Sequence, residues 1–339
     1  MQDTRYPLPW ACALFCLLLA GNAPAQTSPT PGHTRAQAIV RDTVVDRPSP
    51  HYHFKTHHLF SNDGQRRYRV VIGLPQRTDS PAEEAASPER GRAVLYMLDG
   101  NAAIDTLTDA DLATLNQGTA PVLVAIGYDV PTRNDVVSRA YDYTPPVYED
   151  GQRVSHPVVR GHVGGGADTF LQLIEQRIKP LVGEHGQNVA RETLWGHSYG
   201  GLFALYVLLS QPDAFDAYIV GDPSVWWHNG ELLRAWQGFD AARAAGKHVD
   251  ILVGSKPRPP DRPPPPDAGM IERNGLRISP RAALQKIAQG LEANGARLSY
   301  RIFPQYGHGE MIRVSLEHAL RITASGQPQD GSGAVPQIP

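Results

Sequence analysis

Thr193-Leu194-Trp195-Gly196-His197-Ser198-Tyr199-Gly200-Gly201-Leu202-Phe203-Ala204-Leu205-Tyr206-Val207-Leu208-Leu209 decides the fold. Thr193-Leu194-Trp195 reads as the end of a short buried strand, and Leu202 to Leu209 as an apolar helix. Between them lies a G-x-S-x-G turn with a serine at its apex. Strand, tight glycine-flanked turn and helix form the setting of a nucleophile elbow. Glycines beside the serine permit a turn too sharp for larger neighbours. Such a turn lifts Ser198 Oγ clear of the sheet and aims the first helical N–H groups at the same point. The plainer alternative is a small-residue turn that packs a helix on a sheet and does no chemistry. A histidine in the right place downstream separates the two.

The flanking sequence repeats the strand–helix alternation. Tyr68-Arg69-Val70-Val71-Ile72-Gly73-Leu74-Pro75 reads as a strand ended by proline. Ala93-Val94-Leu95-Tyr96-Met97-Leu98 and Pro121-Val122-Leu123-Val124-Ala125-Ile126-Gly127 are continuous apolar runs, as expected of strands buried on both faces of a parallel sheet. Ala217 to Gly221, Val249 to Gly254 and Leu298 to Phe303 continue the series. Phe170, Leu173, Ile174, Ile178 and Leu181 fall at helical spacing, with Asp168 or Thr169 as cap. Helices are also expected from Arg281 to Glu292 and from Glu310 to Ile322. The pattern predicts an α/β fold, a mostly parallel central sheet with helices on both faces. Residues 128–166 are long, rich in Tyr, Pro, Gly and Arg, and poor in periodicity, as functional loops are. The proline-rich run at 257–266 reads as an extended surface loop.

The 339 residues allow one large α/β domain or two small ones, with a sizeable core in either case. A net charge of −2 gives no electrostatic case for a nucleic-acid partner or an acidic membrane surface. Residues 1–25 read as an export signal: Arg5, an apolar run from Ala11 to Ala20, then Ala23-Pro24-Ala25 as the cleavage site. The run is short for a bilayer span, so no stable membrane insertion is expected after cleavage; an uncleaved anchor is the alternative. Both cysteines, Cys12 and Cys16, lie inside that signal, which leaves the mature chain without disulfide, thiolate metal site or cysteine nucleophile. Phe15 before Cys16 is a poor lipoprotein site. A cysteine-free exported chain fits the periplasm or exterior. The expected division is a signal at 1–25, a leader or arm at 26–50, a catalytic domain at 51–323 and a disordered tail at 324–339.

A serine nucleophile needs a base and oxyanion donors. Tyr306-Gly307-His308-Gly309-Glu310 follows the last strand, and its glycines leave an imidazole room at the strand's carboxyl end. His308 is therefore the expected base; His318 lies within a helix, a poor place for one. The oxyanion donors expected are the backbone N–H of Tyr199, after the nucleophile, and of Asn101, in the loop Asp99-Gly100-Asn101. The orienting acid is the gap. It should follow the strand ending at Val253-Gly254, where the chain reads Ser255-Lys256-Pro257. Asp261, Asp267 and Glu272 remain, none of them placed by spacing; Asp222, after the preceding strand, could stand in as the acid or belong to an ordinary turn. No metal-ligand cluster is visible, and the pattern calls for neither cofactor nor protein-bound metal.

Leu98-Asp99-Gly100-Asn101, Asp142-Tyr143-Thr144-Pro145, Gly164-Gly165-Gly166-Ala167 leading to Phe170, the elbow, Pro223-Ser224-Val225-Trp226-Trp227 and Gly307-His308 occur in that order. Together they resemble the putative-esterase branch of the α/β-hydrolases, over about residues 52–322. Within the branch the chain is most similar to periplasmic esterases that cut catecholate siderophores such as enterobactin and salmochelin. The resemblance implies an α/β-hydrolase fold, Ser198 as nucleophile and His308 as base. It implies a Ser-His dyad, since the Glu that other relatives carry after this strand is absent. It places substrate near Arg139, a receptor for anionic catecholate oxygens or else an internal salt bridge with Asp142 or a neighbour. Trp226 and Trp227 are candidates for an aromatic wall, one at the site and one in the core. His156 and His162 are candidate ligand contacts or plain loop histidines. The expected substrate is a small-molecule ester, a ferric siderophore first. A general exported carboxylesterase for short acyl or feruloyl-type esters comes second, and a siderophore-binding protein on a hydrolase scaffold third.

Overall fold

The computed structural model describes residues 36–76, 91–117, 119–257, 269–273 and 275–325. Residues 1–25, where an export signal is expected, with both cysteines, Asp261, Asp267 and the chain from 326 onward lie outside them.

Eight strands form one sheet: β1 (Tyr52–Phe60), β2 (Arg67–Pro75), β3 (Arg92–Met97), β4 (Val122–Tyr128), β5 (Val189–His197), β6 (Ala217–Gly221), β7 (His248–Gly254) and β8 (Arg297–Phe303). Their spatial order is β1-β2-β4-β3-β5-β6-β7-β8. β1 and β2 are antiparallel to their neighbours, and every pair from β4 through β8 is parallel. All residues of β4 and β6 are buried, as their unbroken apolar sequences require. β1 is the strand the sequence hides. It lies at the edge with a mostly exposed face, so it reads His, Lys and Thr among its apolar positions.

Helices cover both faces. Helices α1 (Gly100–Thr106), α2 (Asp109–Leu115) and α9 (Met311–Ser325) share one core with Leu95, Met97 and Trp195. On the other face lie α4 (Ala167–Leu173), α5 (Lys179–Glu184), α6 (Tyr199–Ser210), α7 (Trp227–Gln237) and α8 (Pro280–Ala293), with Val94, Tyr96 and Leu194 beneath them. Strand alternation sends Val94 and Tyr96 one way and Leu95 and Met97 the other. Helix α6 is apolar all round because Gly200 through Leu209 are all buried. Each large aliphatic side chain buried there contributes about 1.5–3 kcal/mol.

Three local expectations change. The helix expected from Asp168 begins instead at Ala167 with Gly166 as N-cap, and a π turn at Ile174–Ile178 joins α4 to α5. Asp168 does not cap; its Oδ1 accepts from the Tyr206 hydroxyl at 2.6 Å. The unperiodic 128–166 stretch holds helix α3 (Val136–Asp142), capped by Asp135, and two minimal hairpins at Tyr148–Arg153 and Val158–Val163. A seven-residue helix and two-residue strands are too short to leave a period.

Candidate active site

Ser198 stands between β5 and α6 with φ 60° and ψ −115°, backbone that a non-glycine residue adopts only under constraint. The constraint is visible. Its N–H donates to the Gly221 carbonyl at 2.9 Å, and its carbonyl accepts from Ser224 N–H at 3.1 Å and Leu202 N–H at 2.9 Å. The flanking glycines are needed for contact, not for torsion. A Cβ on Gly196 would stand 2.3 Å from the Gly200 backbone, and one on Gly201 would stand 3.0 Å from the Gly221 carbonyl oxygen.

His308 reaches the elbow from the loop after β8. Its Nε2 lies 3.1 Å from Ser198 Oγ, and its Nδ1 lies 2.7 Å from Asp222 Oδ2. The expectation of a dyad without carboxylate is thereby corrected. The acid follows β6, one strand earlier than the position left empty after Gly254. Parallel neighbours explain the substitution: Gly221 pairs with Leu252, so both strands open at the same edge of the sheet. Asp222 is pinned there at φ 40° by its N–H bond to the Leu252 carbonyl at 2.8 Å. Its side chain is 16% exposed against 51% for His308, so the acid is covered while the base faces outward. A carboxylate on Nδ1 holds that proton in place and leaves Nε2 to accept from the serine hydroxyl. His197 supports the loop, its Nε2 donating to the His308 carbonyl at 2.8 Å. Glu272 takes no part; it pairs with Arg277 at 3.0 Å on a surface hairpin.

One site residue was overlooked in the sequence. Ser224 Oγ lies 3.2 Å from Ser198 Oγ and is 2% exposed. The single proton of Ser198 points to His308, so the Ser224 hydroxyl donates to the nucleophile oxygen. The signal lies in Pro223-Ser224-Val225-Trp226-Trp227, where a serine stands just ahead of the tryptophans.

The remaining expected residues divide. The amides of Tyr199 and Asn101 stand in the first turns of α6 and α1, where helical N–H groups lack an intrahelical acceptor. The Asn101 side chain explains its own identity: Nδ2 donates to the Tyr128, Val130 and Thr132 carbonyls at 2.9–3.0 Å and clamps the loop after β4. Arg139 is corrected as a substrate receptor. Its Nε and Nη2 fork onto Asp99 at 2.8 and 2.7 Å, and its side chain is 14% exposed. Burial opposes its charge, but Asp99 outweighs burial and holds it protonated. Asp142 pairs instead with Arg66 at 3.0 Å. Trp227 is core, 2% exposed with Gly164 pressed against its ring. Trp226 is the tryptophan at the site. It lines a cavity of about 300 Å³ beside His308, together with Asp222, Val253, Pro280 and Leu284. His156 is exposed and His162 half-buried, neither on that cavity. Among the described residues no group of three or more His, Cys, Asp or Glu side chains could hold a metal ion. Among them also no helix is long and apolar enough to cross a membrane.

Strand order and elbow together define an α/β-hydrolase, and a carboxylate-braced histidine against the elbow serine is the arrangement of a serine hydrolase. A family model described as putative esterase matches residues 61–255, and the chain belongs to that family. It is 35% identical over 279 residues to an apo-salmochelin esterase of Escherichia coli, covering 82% of this chain and 81% of that one. It is 29% identical over 276 residues to the ferri-bacillibactin esterase BesA of Bacillus subtilis, covering 78% and 86%. Among solved structures, enterobactin hydrolase IroE in complex with DFP superposes with a TM-score of 0.64 at 34% identity, over 83% of this chain and 98% of that one.

Proposed function

We propose that this esterase hydrolyses the ester backbone of catecholate siderophores, such as a trilactone, so that iron is released. The observation that carries the chemistry is the line Asp222–His308–Ser198, with contacts of 2.7 and 3.1 Å. Siderophore esterases among the relatives support the substrate class. Ser198 attacks the ester carbonyl while His308 Nε2 takes its proton. The Tyr199 and Asn101 amides receive the oxyanion. His308 returns the proton to the leaving alkoxide, and water then resolves the acyl-enzyme along the same path. Ser224, donating to Ser198 Oγ, holds that oxygen in line and stabilises negative charge developing on it. The apolar run and Ala23-Pro24-Ala25 support export to the periplasm, with cleavage before Gln26.

Incubation of the enzyme with an enterobactin-type trilactone, followed by chromatography, tests the reading. Linear trimer, dimer and monomer should appear in succession. Efficient cleavage of short acyl esters with the trilactone intact would replace it by a general carboxylesterase. A fluorophosphonate adduct on any residue but Ser198 would refute the nucleophile. N-terminal sequencing of periplasmic protein should begin at Gln26.

A further inference from the structure

With Arg139 committed to Asp99, the recognition of an anionic substrate must come from elsewhere. The cavity beside His308 carries two other arginines. Arg160 stands on its wall with its guanidinium carbon 4.0 Å over the centre of the Trp226 ring, a stacked cation–π arrangement. Arg281, at the start of α8, lines the same cavity, with an Nη2 bond to the Gly254 carbonyl at 2.9 Å. The two come from segments more than a hundred residues apart in sequence, so only the fold brings them to one opening. Asp222 is the acid on the same wall, and its charge is directed to His308 Nδ1. The lining also includes the apolar side chains of Trp226, Val253 and Leu284.

We propose that this cavity binds one flat aryl arm of the substrate bearing adjacent oxygen donors, with Val253 and Leu284 on the ring, and Arg160, held over Trp226, and Arg281 on the oxygens. The assignment rests on the siderophore reading above and names the part of the substrate that this site takes. Flat apolar walls suit a ring, and forked guanidinium donors suit two neighbouring oxygens. The size fits one arm. About 300 Å³ is at the lower end of pockets that enclose a drug-sized ligand, so a three-armed trilactone inserts one arm and leaves two outside. His308 is part of the lining, which sets the scissile ester beside the base that protonates the leaving oxygen.

The test uses the full enzyme and three variants: Arg160→Gln, Arg281→Gln and both together. On the trilactone each single change should raise KM about tenfold and the pair about a hundredfold, with kcat changing less. The loss on ethyl butyrate, which has no aryl ring and no neighbouring phenolic oxygens, should be at least tenfold smaller. In parallel, calorimetry measures binding of N-methyl-2,3-dihydroxybenzamide and of its 2,3-dimethoxy analogue, which needs no turnover. The dihydroxy compound should bind the native enzyme and lose at least tenfold in affinity in the double variant, and the dimethoxy compound should bind weakly to both. Equal affinity of native and double-variant enzyme for the dihydroxy compound, or equal binding of the two benzamides, overturns the assignment. If the native enzyme leaves the trilactone intact, the siderophore reading fails by itself, and the calorimetry still decides what the cavity binds.

Discussion

Set side by side, the aspartate–histidine pairs Asp222–His308 and Asp250–His318 differ in one respect: only the first faces a nucleophile. Asp222 and His308 meet at 2.7 Å at the carboxyl edge of the sheet, in loops that follow β6 and β8. Asp250 and His318 meet at 2.5 Å between β7 and α9, both buried. Asp250 Oδ2 also takes His248 Nε2 at 3.1 Å. The difference is in the second nitrogen. His308 Nε2 faces the Ser198 hydroxyl and an open cavity. His318 Nδ1 faces Arg321 Nη2 at 2.9 Å, a group that can only donate, so Nδ1 accepts and Nε2 carries the proton to Asp250. The two imidazoles thus hold opposite tautomers. One pair relays a proton between serine and substrate; the other ties a helix to a strand. A carboxylate beside a histidine makes a catalyst only where the far nitrogen meets a nucleophile that substrate can reach.

The comparison breaks most severely at the nucleophile and base. Ser198→Ala and His308→Ala should each lower kcat about 10⁴-fold or more, with the residual rate from the oxyanion amides. Steady-state kinetics on a chromogenic ester reads this, and His318→Ala measured beside them should keep kcat within about tenfold if its pair is structural. Next in size is Asp222→Asn, which should cost about 10³-fold in kcat with little change in KM. A loss below about threefold would return the site to a dyad and erase the distinction between the two carboxylates.

Asp250→Asn should act on stability instead. Removing one partner from a buried pair costs about 3 kcal/mol, read as a shift in the denaturant midpoint at pH 7. Burial pushes the Asp250 carboxyl up, but His248 and His318 outweigh it and hold it below the usual carboxylate range. The unfolded chain then binds the proton more readily than the native one, so this stabilisation is complete above the unfolded pKa of about 3.9 and is lost as pH falls below it. The gap between native and Asp250→Asn protein should therefore close in acid. A gap that widened there would contradict the pairing. The smallest effect is expected of Ser224→Ala, about tenfold in kcat from one hydrogen bond to a reacting atom, with Ser224→Thr restoring part of it. Equal loss in kcat and in folding stability would reduce Ser224 to a structural support.

Ser198 and His308 were legible because their neighbours are. Glycine spacing and apolar runs on either side are local consequences of a sharp turn between a buried strand and a buried helix. The same locality revealed seven of the eight strands, and it hid β1, whose exposed face dilutes the pattern, and α3, which is a single short helix. Chain order alone therefore determined an α/β sheet, an elbow serine and a histidine after the last strand. Tertiary structure decided the partners. Asp222 became the acid because β6 and β7 lie side by side and end together, a fact of sheet order that no spacing along the chain records. Arg139 lost its expected role because the fold sets Asp99 within reach of its fork, and Ser224 gained one because its loop folds back on the elbow. Hydrophobic periodicity is written between neighbours in sequence; hydrogen bonds and ion pairs across an active site join residues dozens of positions apart, and their geometry exists only once the sheet has closed.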